Sequence, residues 1–158
     1  MFNGKSTGHI EQHRNFMLQA LKLAEQAYRQ NEVPVGAVLV HEGRIIGKGF
    51  NQVEMLKDPT AHAEMLAISA ACATLQNKYL GGCTLYVTLE PCPMCAGAIV
   101  LSKIDRVVFG ALDEKAGACG SVFNLINNQK LNHQVETIHG VLDTDSEFLL
   151  KQFFSERR

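Results

Sequence analysis

The segment Leu89-Glu-Pro-Cys-Pro-Met-Cys-Ala-Gly-Ala98 sets two thiols, Cys92 and Cys95, three residues apart, after an apolar run and at the start of an expected helix. This spacing is compatible with a disulfide, a redox pair, a structural zinc site or a catalytic metal site. Thiols one turn apart share a helix face, and the positive end of the helix favours their thiolates. A structural zinc site takes four protein ligands, yet the chain has no second Cys-x-x-Cys. Cys72, Cys83 and Cys119 stand alone and read as small core fillers. A different partner is offered by Pro59-Thr-Ala-His-Ala-Glu-Met65. Taken singly, His62 is an ordinary helix-start histidine and Glu64 a first-turn carboxylate favoured by the helix dipole. Taken together, His62, Cys92 and Cys95 make three zinc ligands with the fourth position open, which is the catalytic arrangement. Glu64 is then a carboxylate near the metal but not bound to it. Its place at the mouth of two apolar helices predicts a raised pKa, as a proton shuttle requires.

The elements that must position these residues follow from hydrophobic spacing. Met17, Ala20, Leu21, Ala24, Ala27 and Tyr28 recur at helical intervals and predict an amphipathic helix over 11–31, ended by Pro34. Residues 35–40 and 45–50 flank the turn His41-Glu-Gly-Arg44 and predict a hairpin. Asp58-Pro59-Thr60 is a helix-start signal, followed by a buried helix from 61 to about 75. Residues 83–89, 91–103 and 106–110 read as strand, apolar helix and strand, long enough for a parallel crossover. Residues 113–121 form a loop, 135–141 a strand and 143–154 a terminal helix capped by Asp143 or Thr144. The sum is one α/β layer fold with a mixed sheet over 11–158, preceded by a flexible tail over 1–10. Cys92 then falls three residues beyond the carboxyl end of a strand, where open α/β sheets bind ligands.

Composition narrows the setting. The chain has 158 residues, is 46% hydrophobic and 20% charged, and carries a net charge of −1. Nothing here resembles the basic footprint of a strongly nucleic-acid-binding protein, although a local basic patch remains compatible. No apolar run approaches the ~20 residues of a membrane span. The polar N-terminus lacks the apolar segment of a signal peptide, which predicts a cytoplasmic protein. Five cysteines, an odd number without an export signal, argue against a disulfide framework.

His62-Ala-Glu64 followed by Pro91-Cys-Pro-Met-Cys95 resembles the signature of the zinc-dependent cytidine/deoxycytidylate deaminase superfamily. Further segments resemble, in order, its branch of bacterial tRNA-specific adenosine deaminases. They are 32–38, Asn51, 58–62, 84–91, 106–110 and 117–121. The resemblance implies a cytidine-deaminase-like three-layer α/β/α sandwich with a five-stranded mixed sheet, assembled as a homodimer. It implies one zinc per chain, held by His62, Cys92 and Cys95, with Glu64 as proton shuttle. It implies conversion of adenosine to inosine at the wobble position of a tRNA anticodon stem-loop. Asn51 matches the asparagine that contacts the target nucleoside, the backbone of Ala63 lines the base pocket, and Asp113 matches an acidic residue that meets the anticodon loop. Phe154 and Arg157 belong to the aromatic-then-basic ending Phe153-Phe154…Arg157-Arg158. Leu112 and Ser155 depart from the family, standing where some members carry basic residues.

Two other readings share part of this pattern. A deaminase of free bases or nucleotides carries the same zinc signature and suits the near-neutral charge, but not the match over 111–121 or the basic ending. A zinc-stabilised binding module would need neither Glu64 nor an open metal position.

Overall fold

The structure is a computed structural model; it describes Gly4–Arg157, with side chains from His9 onward. A five-stranded sheet runs in the order β2-β1-β3-β4-β5. The hairpin strands β1 (Gly36–His41) and β2 (Arg44–Phe50) pair antiparallel, and β1 pairs antiparallel with β3 (Cys83–Leu89). Strand β4 (Arg106–Ala111) runs parallel to β3, and β5 (Glu136–Ile138) parallel to β4. Helices α1 (Gly4–Arg29), α2 (Val53–Leu56), α3 (Ala63–Leu75), α4 (Pro93–Leu101) and α5 (Asp143–Ser155) complete the chain.

Side-chain alternation along the strands builds two cores, one on each face of the sheet. Ala37 and Leu39 of β1, Leu85 and Val87 of β3, and Val107 and Phe109 of β4 point toward α3 and α4. Val38, Val40, Tyr86 and Val108 point the other way and meet Met17 and Ala20 of α1. Strands buried on both faces read as near-continuous apolar runs, as these do. The result is the expected α/β/α sandwich.

Glycines let α3 lie close on the hairpin. A Cβ at Gly49 would collide with the carbonyl of Ala63 and one at Gly47 with that of Ala67, so backbone packs directly on backbone. This contact brings the first turn of α3, with His62 just before it, down onto the end of β2.

Several boundaries differ from expectation: α3 begins at Ala63 rather than 61, and α4 spans Pro93–Leu101 rather than 91–103. Helix α1 begins at Gly4, so residues 4–10 continue the helix where an irregular tail was expected, and residues 1–3 lie outside the described residues. The same helix ends at Arg29, before Pro34 can act. Asn31 takes a left-handed conformation (φ 60°), and the Glu32 N–H closes onto the Ala27 carbonyl at 2.9 Å. Strand β5 is three residues long, shorter than the strand expected over 135–141. Helix α5 has Leu142 at its N-cap, with no side-chain cap; Asp143 instead accepts from the adjacent Thr144 N–H at 2.9 Å. Among the described residues, no helix is long and apolar enough to cross a membrane.

Candidate active site

His62 and Cys92 occupy equivalent places on two different helices. Each is the residue immediately before the first helical turn, His62 before α3 and Cys92 before α4. Both have the extended backbone of an N-cap, at φ −76°, and neither spends its side chain on capping. Both side chains are therefore free to project from the positive ends of their helices, where anionic ligands are favoured. Pro93 fits the first turn of α4, where a missing N–H costs nothing. Cys95 follows one turn later and is fully buried.

The three ligand atoms converge. His62 Nδ1 lies 3.7 Å from Cys92 Sγ and 3.6 Å from Cys95 Sγ. All three atoms lie within 4.8 Å of one another. Hydrogen bonding from Cys95 and His62 holds the Cys92 thiol down to about 4 against the opposing effect of burial. The Cys92 sulfur and burial together push the Cys95 thiol up. One nitrogen and two sulfurs, one of them readily a thiolate, are a donor set that suits zinc and leaves a tetrahedral position open.

Glu64 stands in the first turn of α3, buried to 4% exposure, and burial pushes its carboxyl above the ordinary carboxylate range. It lines a cavity of about 530 Å³ together with His62, Cys92 and Asn51. That volume lies within the range of small-molecule and nucleobase pockets. Potential metal ligands and a buried carboxyl thus face one cavity.

Asn51 has two duties. Its Oδ1 accepts the Ala63 N–H at 2.8 Å, satisfying a donor of the first turn of α3 and tying that turn to the end of β2. Its amide N–H groups remain as the donors it can offer to the cavity. The Ala63 N–H is committed to Asn51, and Ala63 does not line the cavity. Asp113 and Arg157 both line it. Arg157 donates to the Phe153 carbonyl at 2.9 Å and to Asn31 Oδ1 at 3.2 Å, and its guanidinium lies over the Phe153 ring at 3.4 Å. Phe154 is 47% exposed and lies outside this cavity. It borders a neighbouring surface pocket with Lys115 and Lys151, which Arg157 joins to the first. Arg158 lies outside the described residues.

Among the cavity residues that sequence reasoning did not place in the site, three are informative. Phe153, rather than its neighbour, turns inward, because its position on α5 packs against Tyr28 of α1. Glu32 is 2% exposed and accepts the N–H groups of Glu54 and Met55 at 2.9 and 2.8 Å, fixing the short helix α2. Glu90 is equally buried. A glutamate held by donors from a distant segment leaves no sequence signal that separates it from a surface glutamate.

Residues 10–111 match the family described as the cytidine and deoxycytidylate deaminase zinc-binding region. The chain belongs to this family and carries its zinc-binding region, in which His62, Cys92 and Cys95 are arranged so that they could hold a metal ion. Among its relatives, the tRNA-specific adenosine deaminase of Aquifex aeolicus (strain VF5) is 55% identical over 143 residues, 90% of this chain and 94% of its own length. A solved structure from work on A-to-I editing by tRNA A34 deaminases at the wobble position matches with a TM-score of 0.83 at 42% identity. That match covers 86% of this chain and 99% of the other. A guanine deaminase from Bacillus subtilis matches with a TM-score of 0.62 at 41% identity, over 68% of this chain and 69% of its own.

Proposed function

We propose that the protein hydrolytically deaminates adenosine to inosine at the wobble position of a tRNA anticodon loop. The observation that carries the chemistry is the buried Glu64 carboxyl on the same cavity wall as His62 and Cys92. The choice of adenosine in tRNA is supported by the relative at 55% identity over nearly its whole length, itself a tRNA-specific adenosine deaminase.

His62, Cys92 and Cys95 would hold one zinc per chain, which would supply a Lewis acid able to lower the pKa of a water to about 7. Glu64 does the proton work. Its carboxylate takes one proton from the attacking water and delivers it to N1 of adenine; it then takes the second proton from the new C6 hydroxyl and gives it to the amine, which leaves C6 as ammonia. Asn51 donates its amide N–H to the nucleoside held in the cavity, and the apolar lining from Val33, Val35, Val53 and Leu89 excludes water. A stacked base hides C6, so the adenine must be splayed into the cavity first, which costs least in a single-stranded loop.

Remote contacts must help to hold a splayed loop, because one base in a small pocket supplies too little binding energy. Asp113 and Arg157 line the cavity and Phe154 and Lys115 border the pocket beside it, which supports assigning them to flanking nucleotides. Incubation with a tRNA anticodon stem-loop and, separately, with free nucleosides and bases tests the substrate. Inosine is expected in the stem-loop and essentially none from free adenosine. Turnover of free adenosine, cytidine or guanine with none on the stem-loop would transfer the reading to small-molecule deamination.

The working unit in this reading is a two-fold dimer in the cytoplasm. Helix α4 is apolar all round, and Leu101 at its end is 76% exposed, so its outer face fits a buried interface. All five cysteines are free, which suits a reducing compartment. Sedimentation is expected to give a dimer at micromolar concentration, and a monomer there would refute this assembly.

A further inference from the structure

Glu90 sits between the end of β3 and the first metal thiol, and its partners all lie in one distant loop. Its Oε1 accepts the Asp113 N–H at 3.1 Å and the Ser121 hydroxyl at 2.5 Å. Its Oε2 accepts the Cys119 N–H at 3.0 Å and the Ser121 N–H at 3.1 Å. The carboxyl is 2% exposed, and among the described residues no cation pairs with it. Four donors from residues 113–121 therefore stand in for a counter-ion. Two backbone bonds run alongside, from the Glu90 N–H to Ala111 at 2.9 Å and from the Ala118 N–H to Pro91 at 2.8 Å. Gly117 is shaped to this arrangement, since a Cβ there would collide with the Glu90 carboxyl.

A buried charge without a counter-ion is costly to desolvate, and bare stability does not call for one. Its geometric effect is specific. It clamps the loop carrying Asp113 and Lys115 to the turn carrying Cys92, and Glu90, Asp113 and Cys92 all border the same cavity. We propose that Glu90 is a positioning residue that fixes the substrate-side loop 112–121 relative to the metal site through Asp113, Cys119 and Ser121. It sets where flanking groups of the substrate are held without touching the reacting atoms. The kinetic part of this inference rests on the deaminase reading above, whereas its structural part does not.

Amide hydrogen exchange and steady-state kinetics on Glu90→Gln and Ser121→Ala test it, with zinc content measured alongside. Glu90→Gln keeps the side-chain length but turns one acceptor oxygen into a donor that faces other donors. Exchange at the Cys119 and Ser121 amides is expected to rise about tenfold, and KM for the stem-loop to rise about tenfold with kcat within about threefold. Zinc content is expected to stay at the wild-type level. Ser121→Ala removes one hydroxyl donor and is expected to show the same pattern at about threefold. Wild-type exchange in Glu90→Gln overturns the inference. So does a fall in kcat at unchanged KM, or loss of zinc, because Glu90 would then act at the metal. Should Glu90→Gln fail to fold, unchanged exchange in Ser121→Ala overturns it alone. A wild type inactive on the stem-loop defeats the deaminase reading, while the exchange results still decide the clamp.

Discussion

Glu64→Ala is expected to keep its fold and its zinc and to lose turnover by well over the ~10²–10⁴ typical of general acid–base catalysis. The loss exceeds a single proton transfer because one carboxyl serves the attacking water, N1 and the leaving amine in turn. The fold should survive because the substitution truncates a buried carboxyl whose burial opposes its charge. Alanine also suits the first turn of a helix that is already alanine-rich. Zinc should survive because the ligand atoms come from His62, Cys92 and Cys95. Elemental analysis, circular dichroism and turnover on the stem-loop check the three parts together. A variant within tenfold of wild type would show that Glu64 is not the proton shuttle.

The second large effect is expected at the thiols. Wild-type protein should carry about one zinc per chain, and Cys92→Ala or Cys95→Ala should lose both the metal and detectable turnover. Three protein ligands are already the minimum of a catalytic zinc site, so removing one leaves two donors and no enclosed position. The thiols differ in surroundings: Cys95 is fully buried, whereas Cys92 borders the cavity and is held down to about 4, chiefly by hydrogen bonding from Cys95. Elemental analysis of protein purified without chelator gives the answer. Unchanged zinc in either variant would remove that cysteine from the ligand set.

These residues were readable in the sequence for a physical reason. Each lies within three residues of a helix start marked by proline and an apolar run, so local spacing already placed its side chain. The α/β layering and the parallel β3–α4–β4 crossover were readable because strand and helix periods differ, whereas the three-layer, five-stranded arrangement followed from the family resemblance. Features that depend on distant parts of the chain were not. Glu32 and Glu90 become cavity residues only once α2 and the 112–121 loop fold onto them. The inward turn of Phe153 instead of Phe154 depends on the packing of α5 against Tyr28. Asn51 was singled out through the family resemblance, but not as the acceptor that holds the first turn of α3.

One measurement bears on the central claim more directly than any variant. The anticodon stem-loop is incubated with the protein in heavy-oxygen water, and its nucleosides are then analysed by mass spectrometry. The account predicts inosine at the wobble position with one heavy oxygen at C6, and an equal amount of released ammonia. Unaltered adenosine in the stem-loop, or inosine without the solvent oxygen, would contradict it.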